Sequence, residues 1–305
     1  MHWLIIVLAG HLLNALAFLM DKFLLTKKVL SPFVYAFFIG ALGILGAVLI
    51  PFGFEMGSAN EIINALVGGG TFVAALIFFF SALKANEASR VVPLVGGFVP
   101  LFTFILAYFA LGERLAQNQI LGFAVLVIGG VLITLDKKGP ASAKATAGRR
   151  TGYLYAIIAS LVFAASFVIT KQVYLEQNFI SGFVWSRLGG FIAALAILLI
   201  PAQRYAIFHQ PKEKGSGKTT LLFFTGQIAG ALGFVLVNYA ISLASVSLVN
   251  AMQGAQYAFL LILVVFLGRK FPKILSEKLS GRVLTQKIAA IILISAGIGF
   301  IALNI

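Results

Sequence analysis

The chain is built from apolar runs of about 20 residues, and short polar segments separate them. An α-helix needs a run of that length to cross about 30 Å of hydrocarbon, and a soluble core does not need it. Ten such spans can be drawn in the 305 residues, of which only 10% are charged, whereas soluble domains carry about 25%. The sequence therefore predicts an all-α integral membrane protein with ten transmembrane helices.

The predicted spans cover residues 2–20, 31–52, 61–83, 90–111, 117–135, 151–170, 179–201, 219–242, 246–267 and 286–304. The first run lacks a basic n-region and a small-residue cleavage site, so we interpret it as a retained helix and not as a signal peptide. The chain contains no cysteine, which excludes disulfides and thiolate metal sites.

An internal repeat divides the spans into two groups of five. The second span, "SPFVYAFFIGALGILGAVLIP" (31–51), matches "SGFVWSRLGGFIAALAILLIP" (181–201) at a shift of 150 residues, including its serine, its central glycine and its final proline. We predict repeats over 1–135 and 151–305, joined by a flexible connector at 136–150. Five spans per repeat place the halves in opposite orientations. Inverted repeats are typical of secondary transporters, whose substrate site lies near the bilayer midplane where the halves meet.

Several short motifs resemble the EamA type of the drug/metabolite transporter superfamily. They are "PLFT" (100–103) with "LGERL" (111–115), "ASFVITK" (165–171) and "WSRLGG" (185–190). The resemblance covers nearly the whole chain and implies a ten-helix carrier of small organic solutes. The two halves differ at equivalent positions, since Gln256 stands where the first half has Pro100, and Arg187 where it has Phe37. Any substrate site is therefore expected to be asymmetric.

The positive charges predict the orientation in the membrane. Of the 23 lysines and arginines, 20 lie in the five odd-numbered connections. Because cytoplasmic loops carry the Lys/Arg excess, these connections are predicted to be cytoplasmic and both termini external. The family resemblance implies the opposite orientation, with cytoplasmic termini. The net charge of +14 is thus interpreted as a topology signal and not as a nucleic-acid surface. The expected location is a prokaryotic inner membrane.

Polar residues inside the spans are candidates for solute contacts. In the ninth span Asn250, Gln253, Gln256 and Tyr257 share one stripe, and in the first span His11 and Asn14 share a face. Lipid cannot satisfy such groups, so they face protein or water. They either bond between helices or line a solute cavity. The repeat favours the cavity, because the ninth span is the symmetry mate of the fourth.

Charged and aromatic residues add further candidates. Arg187 lies well inside the seventh span, where it either reaches for helix-end carbonyls or pairs with an anionic solute. Lys22 and Lys171, at equivalent positions of the two repeats, are either interfacial anchors or solute contacts. The symmetry mates Tyr35 and Trp185 either stack on a solute or pack between helices.

The fourth span contains two prolines, Pro93 and Pro100, with Gly96 and Gly97 between them. Each proline removes a helix hydrogen bond and loosens the preceding turn. Interrupted helices are the best sequence indication of a transporter site. We therefore predict a hinge in this helix.

The remaining motifs argue against an enzyme. All nine acidic residues lie in connections or at helix ends, and there is no HExxH or GxSxG motif, so no catalytic site, metal or cofactor is predicted. The stretch "GSGKTT" (Gly215–Thr220) resembles a P-loop, but Lys212 stands where the motif needs its first glycine, and a membrane span follows. We predict no nucleotide there. Without a carboxylate at mid-span, movement driven by the solute gradient is favoured over proton antiport.

These observations predict a secondary transporter of a small organic metabolite or amphipathic solute, acting as an exporter or exchanger by alternating access between the repeats. The expected partners are the solute and membrane lipids, without nucleic acid, and the expected assembly is a monomer. The alternative function is a lipid-linked flippase or scramblase component, since basic cytoplasmic loops can gather anionic headgroups. A third possibility is a membrane protein that binds partners without transport.

Overall fold

The structure is a computed structural model that describes residues 2–24, 31–86, 88–135, 146–209, 217–268 and 281–303. At 21–24, 88–89, 146–149, 217–223, 267–268 and 281–282 it describes the backbone alone. Over these ranges the fold is helical and contains no strand.

The described residues form twelve α-helices and one 3₁₀ segment. The helices are α1 (His2–Leu24), α2 (Pro32–Ala41), α3 (Ala59–Ala85), α4 (Ala88–Ala110), α5 (Gln117–Thr134), α6 (Thr146–Glu176), α7 (Phe179–Ile197), α8 (Pro201–Phe208), α9 (Gly217–Leu243), α10 (Val246–Ala251), α11 (Gln253–Gly268) and α12 (Gly281–Ala302). The 3₁₀ segment, Leu42–Phe52, continues α2. Ten spans among these residues are long and apolar enough to cross a membrane, which confirms the predicted number and the all-α class.

The span bounds agree with the predicted ones to within a few residues. The largest difference is in the sixth span, which continues to Glu176 instead of ending near residue 170. The seventh ends at Ile197, and the short helix α8 follows it. The second span is α2 with the 3₁₀ segment, and the ninth is α10 with α11. Both of these composite spans matter for the candidate site.

Local sequence signals set several helix starts. Ser58 caps α3, accepting a hydrogen bond from the Glu61 amide, while the Glu61 carboxylate accepts one from the Ser58 amide. Asn178 caps α7 through the amide of Ser181. Pro201 occupies the first turn of α8, where its missing N–H costs no helix bond. The caps at Ser58 and Asn178 satisfy amides that the helices themselves leave unpaired.

The helices form two compact units, and each takes helices from both sequence halves. The first unit contains α1, α5 and α9–α12, and the second contains α2–α4, α6–α8 and the 3₁₀ segment. These units are defined by contacts, so they do not test the predicted repeats over 1–135 and 151–305. The inverted repeat and its connector at 136–150 stay predictions.

In the first unit, small residues bring α1 and α9 into close contact. A methyl group added at Gly226 would approach Met20, one at Gly230 would approach Ala17, and one at Gly233 would meet the side chain of Asn14. Membrane helices associate through such small residues because apolar side chains gain nothing by leaving lipid. The glycines of α9 therefore pack helices together.

In the second unit, α7 lies against the 3₁₀ segment along a row of glycines. A 3₁₀ helix has 3.0 residues per turn, so residues three apart lie directly above one another. Gly43 and Gly46 consequently lie on one edge, and a methyl group added at Gly43 would meet the backbone carbonyl of Arg187. A methyl group at Gly46 would lie 2.8 Å from the Cβ of Arg187. The row lets the two backbones approach at the position of Arg187.

Candidate functional site

The ninth span is interrupted among its polar residues. Helix α10 ends at Ala251 and α11 begins at Gln253, with Met252 in a turn between them. The amide of Met252 donates to the carbonyl of Leu248 at 3.2 Å, and the amide of Ala255 donates to the Met252 carbonyl at 2.9 Å. The second bond has 3₁₀ spacing and tightens the turn. The predicted polar stripe therefore straddles a helix break.

The predicted hinge in the fourth span lies within an unbroken helix. Helix α4 continues through Pro93 and Pro100, both of which are buried, as is Gly97. The Thr103 hydroxyl donates to the Val99 carbonyl at 2.8 Å in the turn that contains Pro100. This bond reinforces the turn but does not replace the bond to the Gly96 carbonyl that Pro100 cannot make. A hinge role for the two prolines with Gly96 and Gly97 stays a prediction.

Two predicted site residues meet in the first unit although 245 positions separate them in sequence. The Nδ1 of His11, on α1, lies 3.4 Å from the Oε1 of Gln256, on α11. Both side chains are buried, with 4% of His11 and 7% of Gln256 exposed. His11 also has a ring nitrogen, Nε2, with no hydrogen-bond partner among the described residues. This pair links α1 to α11 through two buried side chains.

The other residues of the stripe have different environments. Asn250 is buried and donates from its Nδ2 to the Val246 carbonyl of its own helix at 3.1 Å. Gln253 and Tyr257 are half-buried, and so is Asn14, whose side chain lies over Gly233 of α9. Hydrogen bonding between helices thus accounts for His11 and Gln256. It does not account for Asn250, whose amide bonds to a carbonyl of its own helix, α10.

Two buried polar residues of the first unit were missed by sequence reasoning. Asn238, on α9, is buried and donates to the Phe234 carbonyl at 2.9 Å. Ser247, on α10, is fully buried, and its hydroxyl has no partner among the described residues. The signal was available for Asn238, because an asparagine in an apolar span must face protein or water. Ser247 gave no signal, since serine is common where helices pack.

In the second unit the backbone and the Cβ of Arg187 pack against the 3₁₀ segment. Its carbonyl faces Gly43 and its Cβ faces Gly46, as described above. The guanidinium carbon lies 5.9 Å from the centre of the Phe72 ring, at the outer limit of a cation–π contact. Tyr174, on α6, is close enough to interact with it electrostatically. Protein groups therefore surround the cation on several sides.

The predicted aromatic pair contacts other aromatic rings. Tyr35 stacks on Phe80 with ring centres 4.9 Å apart, and Trp185 lies 5.7 Å from Phe54. The indole Nε1 of Trp185 is buried and finds no acceptor within the described part of the chain. The ring of Tyr35 thus packs between helices, while Trp185 retains a hydrogen-bond donor that packing does not use.

Of the two predicted lysines, the structure describes one side chain. Lys171, on α6, is half-buried and interacts electrostatically with Glu113, in the segment after α4. The backbone of Lys22 belongs to α1, but its side chain lies outside the described residues. The P-loop-like stretch is also only partly described: residues 215 and 216 lie outside the described ranges, and Gly217 begins α9.

A cavity of about 360 Å³ lies in the second unit where α3, α6 and α7 approach the loop at residues 53–58. Its lining includes three carboxylates, those of Glu55, Glu61 and Glu176. Glu61 takes part in the cap of α3, and Glu176 accepts a hydrogen bond from Gln172 at 3.0 Å. Two of the three carboxylates therefore have structural partners, and no group of His, Cys, Asp or Glu among the described residues could hold a metal ion.

Comparisons with known proteins agree with a helical membrane protein. The model of the EamA-like transporter family matches residues 150–303, half of the chain. The S-adenosylmethionine uptake transporter of Rickettsia felis is 26% identical over 83% of this chain and 78% of its own length. The one from Rickettsia prowazekii is also 26% identical, over 88% and 84% of the two chains.

A solved crystal structure has the same fold. It covers 99% of this chain and 96% of its own, with a TM-score of 0.69 and 21% sequence identity. These comparisons indicate a multi-pass membrane transporter and not an enzyme. The chain belongs to the EamA-like transporter family.

Proposed function

We propose that the protein is a secondary transporter that exchanges or exports a small organic solute by alternating access between two inverted repeats. The observation that supports this most directly is the buried His11–Gln256 pair beside the interrupted ninth span. Broken membrane helices with buried polar groups are how transporter folds bind solutes at mid-membrane. The stripe residues Asn250, Gln253 and Tyr257, together with Asn14, are proposed solute contacts in the first unit.

The candidate contacts in the second unit are Arg187, Lys171, Tyr35 and Trp185. Arg187 supplies a fixed positive charge and Trp185 a buried N–H donor, which suit a solute that carries a carboxylate. Lys22 is the equivalent of Lys171 under the predicted repeat and is proposed as a contact on that ground alone.

We propose S-adenosylmethionine as the first solute to test, because the two rickettsial relatives are S-adenosylmethionine uptake transporters. Exchange accommodates net uptake or net export, since the gradients of the two solutes set the direction. Exchange also needs no proton carrier. The described spans place no carboxylate at mid-membrane that could carry a proton.

Counterflow in liposomes tests this proposal. We expect liposomes that contain the protein and unlabelled S-adenosylmethionine to take up the labelled compound at least about tenfold faster than liposomes without internal solute. The control is the same protein in liposomes loaded with leucine. Equal uptake with and without internal solute would contradict exchange. Movement of a fluorescent phospholipid, without solute counterflow, would favour a flippase.

Labelling of single cysteines tests the predicted orientation, and the cysteine-free chain needs no background substitutions. We expect an impermeant thiol reagent to label Asn304→Cys in intact cells but not Ala141→Cys, because the 136–150 connector carries five of the basic residues. Permeabilised cells provide the control, in which both positions should react. Labelling of 141 alone in intact cells would reverse the orientation.

A further inference from the structure

The imidazole of His11 has one bonded and one unbonded nitrogen, both inside the first unit. Nδ1 lies 3.4 Å from Gln256 Oε1, whereas Nε2 has no partner within hydrogen-bonding distance among the described residues. The carbonyl of Val249 also interacts with the ring. Val249 and Gln256 lie on opposite sides of the break at Met252, so His11 contacts both halves of the interrupted span.

The tautomer follows from the orientation of the Gln256 amide. With its Oε1 facing Nδ1, the ring proton belongs on Nδ1, because an amide oxygen only accepts hydrogen bonds; the reverse orientation of the amide would place the proton on Nε2. With the proton on Nδ1, Nε2 of the neutral ring presents a lone pair. A buried acceptor without a donor is unfavourable, so a partner that supplies an N–H or O–H is preferred there.

We propose that His11 binds the transported solute through Nε2 as a hydrogen-bond acceptor, and that Gln256 is a positioning residue that holds the Nδ1–H tautomer. This deepens the proposed function and rests on it. The site thereby selects solutes that present an amino, amide or hydroxyl donor.

Substitution of His11 by asparagine or by glutamine distinguishes the roles of the two ring nitrogens. The asparagine amide nitrogen lies where Nδ1 lies, and the glutamine amide group reaches the position of Nε2. His11→Asn therefore keeps the bond to Gln256 and removes the acceptor, whereas His11→Gln keeps an acceptor for the solute. The same pair of substitutions at His209, which is exposed on the turn after α8, is the matched control.

Transport of S-adenosylmethionine and nuclear magnetic resonance of the ring nitrogens together test the proposal. We expect His11→Asn to raise the KM for S-adenosylmethionine about tenfold, His11→Gln to recover part of that loss, and both His209 variants to stay within about threefold of wild type. Equal KM values for His11→Asn and wild type would overturn the proposal.

The spectrum needs neither a substitution at His11 nor a known solute. Only three histidines are present, so ¹⁵N-histidine labelling of the intact protein resolves them. We expect His11 to be neutral and protonated at Nδ1, and Gln256→Leu to shift it to a mixture of tautomers. A proton on Nε2 in wild type would overturn the proposal. Failure of counterflow with the expected spectrum would instead reject S-adenosylmethionine as the solute.

Discussion

Gly69→Ala is expected to destabilise the second unit by about 3 kcal/mol or more, beyond the range that overpacking usually costs. The added methyl group would meet the carbonyl oxygen of Ser186, and backbone cannot rotate away as a side chain can. Gly189→Ala makes the reciprocal change on α7, where the methyl group would meet the carbonyl of Leu66. Helices α3 and α7 must separate to accept either alanine.

Thermal unfolding in detergent, followed by tryptophan fluorescence, measures this effect. Trp185 adjoins Ser186 and is one of only two tryptophans, so it reports the contact directly. Gly70→Ala is the control, because its methyl group would lie 3.8 Å from the nearest atom, in Ala193. Alanine improves helix propensity there by about 1 kcal/mol. Melting temperatures that fall equally for Gly69→Ala and Gly70→Ala would contradict the close packing of α3 on α7.

The spans were predictable from the sequence because the bilayer sets a minimum length and an apolar composition for each helix that crosses it. Each backbone group must bond within its helix, and each helix must be about 20 apolar residues long. The same rule identified His11 and Gln256 one by one, as polar side chains that lipid cannot satisfy. The contact between His11 and Gln256 could not be predicted in this way. The rule excludes lipid as the surroundings of a polar side chain, but it does not identify the residue that the side chain bonds.

The break in the ninth span lies at a residue that the sequence did not indicate. The prolines predicted a hinge in the fourth span, whose helix α4 is continuous, and that hinge stays a prediction; the break at Met252 in the ninth span has no proline. Each proline removes only one backbone hydrogen bond, and α4 continues through both of them. The 3₁₀ segment at Leu42–Phe52 left a clearer signal in Gly43 and Gly46, whose spacing of three matches its period.

Arg187→Gln is expected to slow exchange of S-adenosylmethionine by about 100-fold, as the loss of one partner of a buried charge pair costs about 2–5 kcal/mol. Glutamine is polar and extended but carries no charge. The backbone at 187 lies against Gly43, so the substitution leaves the helix position unchanged. Arg187→Lys should recover only part of the rate, because an ammonium group cannot bind a carboxylate through two parallel bonds. Arg204→Gln, exposed on α8, is the control for charge alone.

A second solute separates recognition from a structural role of Arg187. Decarboxylated S-adenosylmethionine lacks only the carboxylate, so the two solutes and two proteins form a double-mutant cycle. If Arg187 pairs with the solute carboxylate, the wild type should prefer S-adenosylmethionine about 100-fold more strongly than Arg187→Gln does. If the guanidinium serves only the contacts with Phe72 and Tyr174, the substitution should slow both solutes equally. Equal slowing would therefore remove Arg187 from the solute site, whatever the size of the loss.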